Sequence, residues 1–170
     1  MEPTTTRYYI SWFRWKGQDG YALWLTMPYE DALWADATGR VPLFSSPAEV
    51  RVLGQQLGVM LEDELPGLLD LDQAEGWLKN LACKPPPECL LTWNAFDDLS
   101  MGVRQPFMRN HKAPLRNRVF DLLYAQSGPW RITVAPVWRR QERNVLRRIL
   151  QQGFRLWEKY TYRPEPSPGF

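Results

Sequence analysis

The chain has 170 residues, of which 44% are hydrophobic, 24% charged and 14% aromatic, and its formal net charge is +2. This composition excludes intrinsic disorder, and a chain of this length buries enough surface to fold without disulfides or a metal. No apolar run reaches the length of a membrane helix, and the first ten residues lack the basic and apolar segments of a secretory signal. We therefore expect a single cytoplasmic domain over residues 1–170.

Catalytic and metal-binding signatures are scarce in this sequence. It contains one histidine, His111, and two cysteines, Cys83 and Cys89, which are too few ligands for a structural zinc site and are expected to be free thiols. No glycine-rich phosphate loop, nucleophile elbow or HExxH segment occurs. These observations predict no metal, no cofactor and a binding protein instead of an enzyme. An enzyme remains an alternative if a deep pocket brings together His111, Asn94 and Asp97.

Charge is distributed unevenly along the chain. Residues 1–100 hold 7 Lys/Arg and 15 Asp/Glu, whereas residues 101–170 hold 14 and 4. Two explanations stay open at this point. The two halves neutralise each other within the fold, or one charged face stays free and attracts an oppositely charged partner.

The N-terminal region has the pattern of a small sheet. The run YYISWFRW, the turn residues KGQDG and the run YALWLT predict a hairpin, and ALWADATGRVPLF predicts two short strands joined by a turn at 36–39. Alternation along the first strand places large rings on both faces, so the sheet is covered on both sides or exposes an aromatic patch. One face carries Tyr9, Ser11, Phe13 and Trp15, and the other carries Tyr8, Ile10, Trp12 and Arg14.

Helical patterns follow the strands. Ser46, Pro47 and Glu49 have the spacing of a capping box, and Asp72 is the expected cap of a second helix. Three further helical patterns begin near residues 88, 118 and 139. The sequence therefore predicts an α+β fold: a small N-terminal antiparallel sheet of three to four strands at about 7–44, four to five helices at about 46–160, and a proline-rich tail at 161–170. The tail is expected to fray or to lie extended on the surface.

Aromatic and charged residues supply the candidate contact sites. Trp77, Trp93 and Trp157 lie on apolar helical faces and are expected in the core, whereas the tryptophans of the sheet are candidate partner anchors. The acidic candidates follow the first helix, and the basic candidates lie on the last. Adjacent Asp97 and Asp98 point about 100° apart on a helix and are not expected to form a catalytic pair. The anchors are Trp12, Trp15 and Trp34; the acidic candidates are Glu62, Asp63, Glu64, Asp70 and Asp72; the basic candidates are Arg139, Arg140, Arg143, Arg147 and Arg148.

One segment carries a family resemblance. Residues Trp93, Asn94, Phe96 and Asp98 form the pattern Trp-Asn-x-Phe-x-Asp, which is followed by Phe120-Asp121-x-Leu123 and Pro136-x-Trp138-x-x-x-Glu142. Over residues 70–160 the chain resembles small bacterial immunity proteins of polymorphic toxin systems. In the loop at 100–118 the chain departs from that pattern. For Trp93, Asn94, Phe96 and Asp97 the resemblance implies helix packing and hydrogen bonding, not catalysis.

The resemblance implies a protein that binds and occludes a cognate toxin domain. Such a protein needs no catalytic apparatus and no membrane contact, and it benefits from a charged surface that carries aromatic residues. The acidic candidates and the sheet tryptophans are then the expected contacts. The alternative is a nucleic-acid-binding module, in which the arginines of the last helix contact phosphates and Trp12 or Trp15 stacks on bases.

Overall fold

The computed structural model describes residues 5–108, 113–127 and 137–166 of the chain. In these residues a four-stranded sheet in the N-terminal part is combined with five helices, which confirms the predicted α+β class. The segment at 131–138, whose sequence fits either a short strand or an extended connector, lies mostly outside the described residues.

A hairpin forms the centre of the sheet. Strand β1 (Arg7–Trp15) pairs antiparallel with β2 (Gln18–Thr26) across a two-residue turn, Lys16 and Gly17, whose φ angles are 51° and 68°. Positive φ at both turn residues matches the twist of the flanking strands. The second strand therefore begins at Gln18, three residues before the apolar pattern resumes at Tyr21.

The sheet is mixed, which differs from the wholly antiparallel sheet that was expected. Strand β3 (Asp31–Leu33) pairs antiparallel with β2, and the predicted turn closes after it, where Gly39 donates its backbone N–H to Asp36 O at 2.9 Å. The fourth strand, β5 (Leu68–Asp70), pairs parallel with β1, so the order is β3-β2-β1-β5. This strand comes from the acidic segment beyond residue 60, where no strand pattern is present.

A second, two-stranded sheet fixes the start of the C-terminal tail. Strand β4 (Val41–Pro42) pairs parallel with β6 (Thr161–Tyr162), and the Tyr162 hydroxyl donates to Asp36 at 2.5 Å. Arg163 also donates to the carbonyl oxygen of Asp19 at 2.8 Å. The beginning of the tail is therefore extended over the surface and does not fray, which agrees with one of the two alternatives expected from the sequence.

Helix α1 (Pro47–Leu57) covers one face of the sheet. The predicted capping box is present: Ser46 accepts from the Glu49 N–H, and the Glu49 carboxylate accepts from the Ser46 N–H. The helix ends at Gly58, which adopts a left-handed conformation. Its buried Val50 packs with Ile10 and Leu23 of the sheet in a small apolar cluster.

Helix α2 (Leu71–Leu78) corrects the predicted cap. Asp70, not Asp72, is the N-cap residue, and it accepts from the Asp72 N–H at 3.1 Å. Asp72 instead accepts from the backbone N–H groups of Lys16 and Gly17 at 2.6 and 2.9 Å. The sequence spacing does not distinguish the two aspartates, because the choice depends on a hairpin turn more than 50 residues away.

The larger core lies on the other face of the sheet. Helix α3 (Glu88–Val103) packs against β3, β5, α2, α4 (Ala113–Ser127) and α5 (Arg140–Tyr160). The buried tryptophans predicted for the core are found there: Trp77, Trp93 and Trp157. Both faces of the sheet are covered, and no tryptophan among the described residues is exposed.

Candidate functional site

An open cleft of about 680 Å³ lies between the sheet and helix α3. Its floor and walls come from β1, β2 and β3, from the segment that leads into β5, and from one side of α3. Five carboxylates and four aromatic rings line it, and we call it the acidic cleft. The carboxylates are Glu30, Asp31, Glu64, Asp97 and Asp98, and the rings are Tyr9, Phe13, Trp24 and Tyr29.

Asp98 is the most strongly perturbed carboxylate of the acidic cleft. Asp98 lies on α3, where burial raises its pKa to about 7, and the negative charges of Asp31 and Asp97 add to this effect. The indole of Trp24 acts in the opposite direction. Near neutral pH this carboxyl group is therefore partly protonated in the free protein.

Asp97 is perturbed in the same direction. Burial raises its pKa to about 6, while the positive charge of Arg116 on α4 and the indole of Trp93 oppose the shift. Both carboxyl groups would be more fully ionised beside a bound cation, because an opposite charge favours the ionised form. The inner end of the acidic cleft is therefore suited to a positively charged group.

The rim of the acidic cleft carries exposed apolar side chains. Tyr29 is 99% exposed and Leu65 is 92% exposed, and Leu91 on α3 is also exposed. Large apolar side chains clustered beside a cleft are typical of interaction sites. The acidic cleft thus combines negative charge inside with apolar groups outside.

The predicted acidic contacts are divided by the structure. Glu64 lines the acidic cleft, and Glu62 and Asp63 lie exposed in the segment just before it. Asp70 and Asp72 are half-buried and engaged in the α2 cap and the β1–β2 turn. Only the first three acidic candidates are therefore free to contact a partner.

The predicted aromatic anchors are half-buried and packed against other groups. Trp12 stacks on Tyr21, and Trp34 packs against the small cluster beneath α1. Trp15 stacks on Phe154 and donates from Nε1 to Glu75 at 3.2 Å. None of these three indoles lines the acidic cleft.

The basic candidates lie on α5 and its N-cap. Arg139, Arg140 and Arg148 are exposed, while Arg143 and Arg147 are half-buried. Within the described residues, no ion pair joins these arginines to the acidic segment at 62–98. In the part that the structure describes, the charges of these five arginines are therefore not neutralised by ion pairs with that acidic segment.

The alternative interpretation, an enzyme, requires a deep pocket that brings together His111, Asn94 and Asp97. Asn94 and Asp97 both line the acidic cleft, and His111 lies outside the described residues. In the described parts of the chain, no three His, Cys, Asp or Glu side chains are arranged to hold a metal ion. Cys83 and Cys89 are both free thiols, as expected from their spacing.

Several cleft residues were not predicted as site residues. Asp31 follows the hairpin without any motif, and Tyr9 has the pattern of an ordinary strand residue. Trp24 belongs to the tryptophans of the sheet, but it was not among the three named anchors. The sequence pattern Trp-Asn-x-Phe-x-Asp is the one local feature that could have indicated cleft residues, because it contains Asn94 and Asp98. Its Trp93 and Phe96 are buried in the core. The other partners come from separate strands, so their convergence is a tertiary property.

Comparisons with known proteins give no family assignment. A scan against protein-family models finds no match, and searches of curated proteins and of solved structures find no significant match. None of the described helices has both the length and the apolar character needed to cross a bilayer.

Proposed function

We propose that this protein is an immunity protein that binds a toxin domain through the acidic cleft and blocks it by occlusion. The observation that carries the proposal is the combination of inner carboxylates with the exposed apolar rim of Tyr29 and Leu65. Tight protein interfaces use a central anchor in a pocket, surrounded by groups that exclude water. A basic segment of the toxin, with one cationic side chain directed at Asp31 and Asp98, fits this arrangement.

The charge distribution supports rapid association with a basic partner. Glu62, Asp63 and Glu64 are exposed next to the acidic cleft and extend its negative surface. Clustered like charges steer an oppositely charged partner and raise the association rate, whereas buried contacts determine the lifetime of the complex. We therefore retain these three acidic residues as predicted contacts.

The resemblance to immunity proteins supports the same surface. Within its Trp-Asn-x-Phe-x-Asp pattern, Trp93 and Phe96 pack into the core. Asn94 and Asp98 line the acidic cleft. The pattern thus links helix packing to the presentation of two polar side chains.

Binding in the cell tests the proposal. The tagged wild-type protein is compared with a cleft variant, Asp31→Asn with Asp98→Asn, and with a control, Asp121→Asn with Glu165→Gln. The control removes the same two charges at exposed positions away from the cleft. We expect the wild type and the control to retain one stoichiometric protein, identified by mass spectrometry, and the cleft variant to lose it.

The captured protein must also behave as a toxin. Its expression alone is expected to arrest growth, and co-expression of this chain should relieve the arrest at about one copy per toxin molecule. Relief at far below one equivalent would indicate an enzyme and contradict the occlusion proposal. Equal capture by the cleft variant would contradict the assignment of the site.

A further inference from the structure

The outer face of α5 is a continuous basic surface that the acidic cleft does not use. Its exposed residues between 140 and 155 are all arginine or glutamine, and they lie within an arc of about 100° and a length of about 22 Å. We call this surface the α5 face. It comprises Arg140, Gln141, Arg148, Gln151 and Arg155.

Internal ion pairs leave the α5 face charged. The two carboxylates of α5 bind bases from other elements: Glu142 pairs with Arg118 at 2.6 Å and Glu158 pairs with Lys16 at 3.0 Å. In the described parts of the chain, no carboxylate lies within ion-pair distance of Arg140, Arg148 or Arg155. Arg140, Arg148 and Arg155 lie about 10 to 12 Å apart along the helix axis, and an anion that binds between them lowers the free energy of the surface by offsetting their mutual repulsion.

The chemistry of the α5 face distinguishes among anionic partners. The apolar side of α5, which includes Ile149 and Trp157, is buried in the core and cannot enter a bilayer. The outer side has no aromatic or aliphatic anchor of the kind that dominates protein interfaces. Guanidinium and amide groups without apolar anchors are typical of contacts to nucleic-acid phosphates.

Base stacking is not supported by the sheet tryptophans. Trp12 and Trp15 are half-buried, and each already stacks on a ring of the fold, Tyr21 and Phe154 respectively. Neither indole is therefore fully available to stack on the bases of a single strand. A duplex needs no stacking platform, because its phosphate backbone is accessible from outside. We propose that the α5 face binds the phosphate backbone of double-stranded nucleic acid without reading its sequence, independently of the acidic cleft.

Fluorescence anisotropy with a labelled DNA duplex of about 20 base pairs tests this binding. Contacts to about three phosphates predict that the dissociation constant rises about 40-fold between 50 and 200 mM salt. The variant Arg140→Gln, Arg148→Gln, Arg155→Gln is expected to bind at least about tenfold more weakly at 50 mM salt. The corresponding triple lysine variant keeps the charge and should retain binding within about threefold.

A matched control separates the α5 face from overall charge. The variant Arg51→Gln, Lys79→Gln, Lys84→Gln removes the same number of positive charges from exposed positions in the other half of the chain. We expect its affinity to stay within about twofold of wild type, since screening limits distant charges. Circular dichroism melts establish that all variants are folded, which is expected because the substituted side chains are exposed.

Four results would overturn the proposal. The first is that the wild type does not bind the duplex at 50 mM salt. The second is that the control variant loses as much affinity for the duplex as the Arg140→Gln, Arg148→Gln, Arg155→Gln variant. The third is that a single strand binds the wild type as tightly as the duplex does and still binds that triple glutamine variant. The fourth is competition by polyglutamate of equal charge as strongly as by unlabelled duplex, which would indicate an acidic protein partner. Each result leaves the capture experiment on the acidic cleft unaffected, because no residue of the α5 face lines that cleft.

Discussion

Gly102 of α3 lies against the backbone of Leu33 in β3, and a β-carbon placed on Gly102 would be 1.8 Å from the Leu33 carbonyl oxygen. Asp98 is one helical turn before Gly102, and Asp31 is two residues before Leu33 on the strand. The same close approach therefore sets the separation of the two aspartates of the acidic cleft.

Substitution of Gly102 tests the close contact between α3 and β3. Because a backbone atom occupies the space, Gly102→Ala must displace α3 from β3, and we expect it to lower the free energy of unfolding by about 3 kcal/mol. Urea denaturation measures the change. Gly76→Ala on α2 is the matched control, since its β-carbon would meet no atom within 4 Å. That control should be neutral or stabilising by up to about 1 kcal/mol; equal destabilisation by both variants would contradict the account.

The raised pKa of Asp98 predicts a pH dependence of stability. The folded protein retains this proton up to a pKa of about 7, whereas the unfolded chain loses it near 3.8. Stability therefore falls as pH rises between these values and stays at the lower level above them. Asp98→Asn should stabilise the protein by about 2 kcal/mol at pH 8 and by little at pH 4. Urea denaturation at both pH values checks this, and an equal effect at both would disprove it.

Asp72 and Asp63 are predicted to differ in structural importance. Asp72 accepts two backbone N–H groups of the β1–β2 turn, while Asp63 is exposed. We expect Asp72→Ala to cost about 1 to 2 kcal/mol of stability and Asp63→Ala to cost almost nothing. Thermal unfolding of the two variants gives the comparison. The opposite order would mean that the turn does not depend on α2.

The ion pair between Arg118 and Glu142 connects α4 to α5. The Glu142 side chain is only 2% exposed and also accepts from the Arg139 N–H at 2.8 Å. Arg118→Ala leaves this carboxylate buried without its partner, so we expect a loss of about 2 kcal/mol at pH 7. Adding Glu142→Gln should recover part of the loss, which a double-mutant cycle measures. Complete additivity of the two substitutions would show that they do not interact.

Acid weakens the same ion pair. Burial alone would raise the pKa of Glu142, but Arg118 and the Arg139 N–H outweigh it, so the pKa of this carboxyl lies below its ordinary value of 4.5. The stabilisation is present above that ordinary value and is lost as pH falls through the lower folded pKa. The cost of Arg118→Ala should therefore shrink as pH falls below the ordinary value of 4.5 and through the lower folded pKa of Glu142. A cost that is independent of pH would contradict the pairing.

Local chemistry made much of the fold predictable from sequence. The capping box at Ser46 and Glu49 and the apolar face of α3 follow short-range rules, and both appear where the spacing places them. Helix α4 was predicted less well, because it begins at Ala113, five residues before the predicted start near residue 118. The parallel strand β5 was not predictable in this way. It pairs with β1 across more than 50 residues, and its short sequence has no alternation to mark it.

The acidic cleft was only partly predictable for the same reason. Glu64 belongs to an acidic segment that is visible in the sequence, and Asp98 belongs to a short pattern. Their proximity to Asp31 and Trp24 depends on how α3 crosses the sheet, which no local spacing records. Asp70 was a candidate contact by charge alone, and its role as a helix cap became clear from its backbone partner.

Calorimetric titration with the purified captured partner tests the central claim most directly. The wild type, the Asp31→Asn, Asp98→Asn cleft variant and the Asp121→Asn, Glu165→Gln control are titrated at pH 8, above the raised pKa of Asp98, so that this carboxyl group is largely ionised. The account predicts one-to-one binding and a dissociation constant at least about tenfold higher for the cleft variant, with the control unchanged. Equal affinity of the three proteins would show that the partner does not bind in the acidic cleft.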